Sequence, residues 1–352
     1  MQRHENGTAM PIGRRDLMLA AGVVLATASV PARAQTGAAA EGPSASVSFD
    51  DGLAIPIPAK PSLGQGKDRA LVLGGGGEYF AAWMLGFMQG LHENGVTYEM
   101  PEVIVGTSAG SVVGSTIAGG HLARLTREFE FFGDFPKLLA ALVPTPKPNP
   151  SQVRAHELCN TATDASVATI QAIGRGAMAA RNPSVGKLQD MVVTLTGNLH
   201  WPSEIFHATT VDCYSGQRLF VSSTSNVHIS HAVSASMSLP GIFGPTWIGD
   251  RICMDGGMGP TSTHSDLVAG AKRAIVVSLT DGLPGSGPRF SSMPNSILQE
   301  IKDLEAAGTK ALLIAANPGK VNLVSPEEIS PAMKLGYDRA VQEVDKVRAF
   351  WA

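Results

Sequence analysis

Metal-binding signatures are missing from this 352-residue chain. It has no H-E-x-x-H pattern, no paired Cys-x-x-Cys and no D-x-D-x-D-G loop, so neither a metal nor another cofactor is expected. A basic stripe interleaved with aromatics is missing too, which excludes nucleic acid as a partner. With 27 Lys and Arg against 30 Asp and Glu, the net charge is −3, so capture by an anionic membrane is not expected and any lipid contact must be apolar. Cysteine is scarce: Cys159, Cys213 and Cys253 are an odd number, and in an oxidising compartment at least one stays free. Cys213 and Cys253 sit beside apolar strand residues and read as buried thiols. The apolar run at 17–30 falls short of the roughly 20 residues that a membrane-spanning helix needs. The chain contains no internal repeat.

That apolar run belongs to a leader. Arg14 and Arg15 precede it and Ala32-Arg-Ala34 closes it, which reads as a twin-arginine signal peptide over residues 1–34. The expected partner of the precursor is the twin-arginine export machinery, and the expected location of the mature protein is the periplasm. Residues 35–66, rich in Ala, Ser, Pro and Gly, read as a flexible lead-in. Residues 67–352 suffice for one large α/β domain. Strand patterns fall at 71–73, 103–105, 206–210, 219–221, 252–254 and 275–279. Helix patterns fall at 81–94, 109–119, 121–132, 186–197, 229–237, 264–271, 294–315 and 326–350. This alternation predicts an open, mostly parallel sheet with helices on both faces. A Pro-rich link at 143–150 splits the middle, and residues 121–185 form an insertion that is either a lid or an inert helical pair.

Chemistry concentrates in four places. Residues 103–110 read Val-Ile-Val-Gly-Thr-Ser-Ala-Gly, a β-branched run ending in a G-x-S-x-G nucleophile elbow. Ser108 is the candidate nucleophile, and Gly106 and Gly110 free the space where the chain doubles back. Upstream, Ala70-Leu-Val-Leu runs directly into Gly74-Gly75-Gly76-Gly77, and no Lys-Ser or Lys-Thr follows to make a phosphate loop. The N–H groups of Gly75, Gly76 and Gly77 are the candidate oxyanion hole. Downstream, Ser234-Ala-Ser-Met-Ser-Leu-Pro-Gly-Ile-Phe-Gly-Pro245 precedes a strand ending in Asp255-Gly-Gly.

In that order these segments resemble the patatin-like phospholipase family over residues 67–280. The 205–221 stretch is also similar to the family's strand-turn-strand. The resemblance implies a patatin-like three-layer fold, a Ser108–Asp255 dyad and hydrolysis of lipid acyl esters through an acyl-enzyme. It also implies transient contact with a membrane or micelle surface. Two departures stand out. Tyr79 and Phe80 occupy the positions of the family's basic residue and glycine, and both are expected to line the cleft. After Asp255-Gly-Gly comes Met258-Gly-Pro-Thr-Ser-Thr-His264, without the usual Asn. An Asp base is favoured by an apolar site, which Ile252, Met254 and Met258 would supply. A Ser-His-Asp esterase, an acyltransferase and a catalytically silent lipid or partner binder stay open as alternatives. His264 is the one histidine in chain order for a triad, and its polar neighbours read as a solvated loop.

Overall fold

The computed structural model describes residues 54–352, except 59, 97–100, 143–146, 183–184, 198–199, 262 and 287–296. The signal expected at 1–34 lies outside the described residues, as does most of the lead-in. The elements run β1 (Ile55–Pro56), β2 (Arg69–Leu73), α1 (Gly77–Glu93), β3 (Val103–Gly106) and α2 (Ala109–Ala118). Five helices follow: α3 (Leu122–Asp134), α4 (Pro136–Leu142), α5 (Pro150–Asn160), α6 (Val167–Ala179) and α7 (Val185–Thr196). Next come β4 (Phe206–Asp212), β5 (Arg218–Val221), α8 (Ile229–Met237), β6 (Thr246–Ile248) and β7 (Arg251–Asp255). The chain closes with β8 (Arg273–Ser278), α9 (Ile297–Ala306), β9 (Lys310–Ala315) and α10 (Ile329–Trp351).

Strands β4, β3, β2, β8 and β9 pair in parallel, in that spatial order. Beyond β4 the sheet turns antiparallel: β5 and then β1 extend one branch, while β7 and β6 form another. Alternation of side chains divides the core. Leu71, Leu73, Ile104, Ile275 and Val277 face one cluster, packed by helices such as α1 and α2. Ala70, Val72, Val103, Val105, Ala274 and Val276 face the other, covered by α9 and a 3-10 turn at Ser265–Val268. Both faces of the central strands are therefore buried, as parallel sheets require. The result is the three-layer α/β fold that the alternation predicts.

The structure corrects the sequence reading in three places. The helix expected over 294–315 is two elements. It stops at Ala306, Gly308 turns the chain at φ 86°, and Lys310–Ala315 continues as β9. Strand pairing with β8 overrides the helical pattern there. The helix expected at 264–271 is only the 3-10 turn, hemmed in by φ 54° at His264 and 90° at Gly270. Three helices, α4, α5 and α6, fill the middle of the insertion, where the sequence offers at most a helical pair without bounds. A signal was there for α5: Asn149 makes a capping box with Gln152, with Pro150 in the first turn.

Candidate active site

The site lies at the carboxyl ends of β2 and β3. Strand β3 is buried throughout and ends at Gly106, and α2 starts three residues later. The connection puts Ser108 at φ 52° and ψ −119°, a backbone region that costs a side-chain-bearing residue about 1–3 kcal/mol. It closes only because two glycines let backbones meet. A Cβ on Gly106 would lie 2.6 Å from the Gly110 carbonyl, and one on Gly110 would lie 2.1 Å from the Leu73 carbonyl. The Ser108 N–H donates to the Ser236 hydroxyl at 2.8 Å, and the Ser111 hydroxyl donates to the Ser108 carbonyl at 2.6 Å.

The glycine loop runs alongside. A Cβ on Gly75 would lie 3.1 Å from Ser108 Cβ, which places this backbone directly against the serine. Gly76 caps α1 and Gly77 takes φ 65°. On either side the N–H groups are spent: Gly74 donates to Val277 at 2.9 Å and Tyr79 to Leu323 at 3.1 Å. Among the described residues, the N–H groups of Gly75, Gly76 and Gly77 have no protein acceptor. Orphan amides are normal in a first helical turn, and here the positive end of the helix dipole adds to them. Tyr79 and Phe80 do not line the cleft, contrary to expectation. Both are buried on the inner face of α1, where Phe80 stacks on Trp83 at 5.8 Å and fills the space beside Gly76. Because α1 already starts at Gly77, positions 79 and 80 rotate into the core.

Asp255 approaches from the antiparallel branch. It ends β7, opposite Thr210 of β4, and its side chain is buried. Its N–H donates to the Ser238 carbonyl at 3.0 Å. One carboxylate oxygen accepts the Gly257 N–H at 2.8 Å, and the Ser108 side chain lies close enough to the carboxylate to favour its charged form. Burial pushes the Asp255 carboxyl up to about 7, against the lowering pull of the Gly257 N–H and the Ser108 side chain. The apolar surroundings include Met254 and Met258, joined by Cys159 of α5 and by Ile170 and Ile173 of α6. Burial and the nearby Asp255 push the Cys159 thiol up to about 12, so it stays uncharged. Helix α5 also docks on the segment before β7, with Gln152 donating to the Gly241 carbonyl at 3.3 Å.

Ser236 and Ser238 carry no catalytic motif of their own in the sequence. The structure uses them as a clasp: one holds the nucleophile's backbone, the other the backbone of Asp255. The spacing Ser-x-Ser before Pro240 was the available signal. His264 is a correction. It is buried rather than solvated, and its Nε2 meets the Gly256 carbonyl at 2.9 Å, not Ser108. Burial, together with the Arg218 charge, pushes its imidazole down to about 4, so it is neutral. Among the described residues, no group of His, Cys, Asp and Glu is arranged to hold a metal. No described helix is long and apolar enough to cross a membrane.

No curated protein matches the sequence. Among solved structures, the chain is similar to VipD from Legionella pneumophila, with 16% identity and a TM-score of 0.39 over 84% of this chain and 71% of that one. It is also similar to the ExoU–SpcU heterodimer from the type III secretion system of Pseudomonas aeruginosa. There identity is 16% and the TM-score 0.37, over 98% of this chain and 62% of that one. The sequence model of the patatin-like phospholipases matches residues 71–264, more than half of the chain, from the glycine-loop strand to His264. With the elbow, the glycine loop and Asp255 all inside those limits, the chain belongs to the patatin-like phospholipase family.

Proposed function

We propose that this family member is an exported acyl hydrolase that cleaves carboxylic esters of lipids with a Ser108–Asp255 dyad. The observation that carries this reading is a strained, outward-turned serine beside a buried carboxylate raised to about 7. A carboxylate with a pKa near neutrality accepts a serine proton far more readily than one near 4. As Ser108 Oγ attacks the ester carbonyl carbon, its proton passes to Asp255. The carbonyl oxygen becomes an oxyanion and accepts from the N–H groups of Gly75, Gly76 and Gly77. When the tetrahedral species collapses, Asp255 returns the proton to the departing alkoxide, leaving an acyl-serine. Water then repeats the sequence: it loses a proton to Asp255, attacks the acyl carbon, and the proton goes back to Ser108 Oγ as the fatty acid leaves.

The insertion contributes two things to this scheme. Helices α5 and α6 keep Asp255 dry through their contact with Met254 and Met258. Helices α3 and α4 present exposed apolar side chains near the rim. Helix α4 packs on the 326–328 turn, in the same connection whose Leu323 carbonyl holds the N–H of Tyr79 next to the glycine loop. Phe131, Phe135 and Leu138 are exposed there, with the two phenylalanine rings 5.1 Å apart. An apolar rim on a chain of net charge −3 fits contact with a zwitterionic lipid surface.

The test is product analysis. Phosphatidylcholine vesicles incubated with the mature protein should release free fatty acid and lysophospholipid by mass spectrometry. Transfer of the acyl group to an added alcohol with no free acid would instead make it an acyltransferase. Export rests on Arg14 and Arg15. Changing both to Lys should leave the precursor inside the cell, and unchanged export would contradict that assignment.

A further inference from the structure

The 264 position departs from what surrounds it in two ways. It takes φ 54°, a left-handed conformation uncommon for any residue with a β-carbon, though histidine adopts it more often than most. Among the described residues three other non-glycines share a positive φ: Asn226 and Asn317, for which it is ordinary, and the nucleophile Ser108. Among the described residues, His264 is also buried with Nδ1 lacking any hydrogen-bond partner. Strain and an orphaned nitrogen persist only where the surroundings over-determine them.

The surroundings do. The His264 N–H donates to the Thr261 hydroxyl at 2.9 Å. On either side, the Thr263 and Ser265 hydroxyls donate to Glu300 of α9, at 2.6 and 3.1 Å. The adjacent Arg218 pairs with Asp266 at 2.8 Å. This frame aims Nε2 at the Gly256 carbonyl, 2.9 Å away. A carbonyl only accepts, so Nε2 carries the proton and Nδ1 is the bare nitrogen.

The Gly256 carbonyl and the Gly257 N–H belong to one peptide unit. That N–H is the group bonded to Asp255. A peptide is planar, so gripping its oxygen end fixes the direction of its N–H end. A donor on the oxygen also polarises the N–H and strengthens its bond to the carboxylate. We propose that His264 is a positioning residue that holds and polarises the 256–257 peptide, and through it orients the carboxylate of Asp255. The inference rests on the reading of Asp255 as the general base. His264 itself touches neither substrate nor Ser108, and its neutral ring adds no titration of its own near pH 7. The groups facing Asp255 are Ser108, the Gly257 N–H and the uncharged Cys159 thiol, so the titration that moves is that of Asp255.

The test compares His264→Leu, which removes the donor, with His264→Gln, whose amide restores one at about the reach of Nε2. With a soluble short-chain ester, His264→Leu should lower kcat about tenfold at pH 7, the value of one hydrogen bond, with KM unchanged. Its acid limb should move to higher pH, because Asp255 loses a polarised partner. His264→Gln should recover both. A folded His264→Leu protein with wild-type kcat and an unmoved limb overturns the proposal. Should His264→Leu not fold, imidazole 1H–15N spectra of the wild-type protein decide. They should hold a buried histidine as the neutral Nε2–H tautomer from pH 5 to 9. A Nδ1–H tautomer, or no such histidine, overturns it. Asp255→Asn measured in parallel separates the two failures: retention of most activity there removes the base itself, whatever His264 does.

Discussion

The nucleophile and the base of this protein are held by different physics. Ser108 stands where the parallel part of the sheet meets its helices, and backbone sterics fix it: Gly106 and Gly110 sit so close to neighbouring carbonyls that no side chain fits. Asp255 ends a strand of the antiparallel branch and is held by hydrogen bonds, from Gly257 to its carboxylate and from its own N–H to Ser238. A backbone vice either closes or fails. A hydrogen-bond cradle can be loosened by degrees, and each degree changes the pKa of the group it holds. The nucleophile side should therefore respond to substitution by losing the fold, and the base side by shifting its titration.

The largest effects remove the two groups themselves. Ser108→Ala and Asp255→Asn should each lower ester hydrolysis by about ten-thousandfold or more, and the double variant should be no worse than either, because the pair acts as a unit. Turnover assays on the folded variants check this; most of the activity surviving in Asp255→Asn would break the pairing. Gly110→Ala comes next and should yield no folded protein by circular dichroism, since its methyl meets the Leu73 carbonyl at 2.1 Å. Gly75→Ala is the milder counterpart. Its methyl would stand 3.1 Å from Ser108 Cβ, so the variant should fold but turn over ten to a hundred times more slowly, reflecting crowding at the oxyanion amides.

Burying a base has a cost that stability measurements can read. Asp255 stays protonated in the fold up to about pH 7 but ionises near its ordinary 3.8 once unfolded. Its contribution is fully present below pH 4 and is lost as the pH rises through 7. Asp255→Asn escapes that loss. Chemical denaturation should find it more stable than wild type by up to about 4 kcal/mol at pH 8, and no different at pH 4. Equal stability at both pH values would mean that the carboxylate is not buried in the way described. In turnover the same titration gives an acid limb centred near 7. Glu78, in the first turn of α1, is pushed up to about 7 by desolvation although much of the residue is exposed, so it is the other candidate for that limb. Glu78→Gln should leave the limb in place. The smallest effect belongs to the rim: Phe135→Ser should reduce activity on phosphatidylcholine vesicles a few-fold while sparing a soluble ester.

The contrast also explains what could be read without a structure. The elbow is legible because every constraint on Ser108 is local: a buried strand, a glycine, a serine and a second glycine within eight residues. Asp255 is legible as a strand end followed by two glycines, and its apolar neighbours Met254 and Met258 adjoin it in sequence. Its distant supports are not. Cys159, Ser238 and His264 reach it or its turn from three separate parts of the chain. His264 misleads because its polar neighbours suggest solvent, whereas the structure spends the hydroxyls of Thr261, Thr263 and Ser265 on internal bonds. Strand β9 misleads in the same way: its identity comes from pairing with β8, which no local pattern encodes.

The central claim, that Ser108 is a nucleophile activated by Asp255, is tested most directly by labelling with a fluorophosphonate, followed by mass spectrometry of the peptide carrying Ser108. One label per chain should appear, on Ser108, at a rate that climbs as pH rises through about 7 and that drops sharply in Asp255→Asn. Labelling of Asp255→Asn at the wild-type rate, or lipid ester hydrolysis by a protein whose Ser108 takes no label, would contradict it.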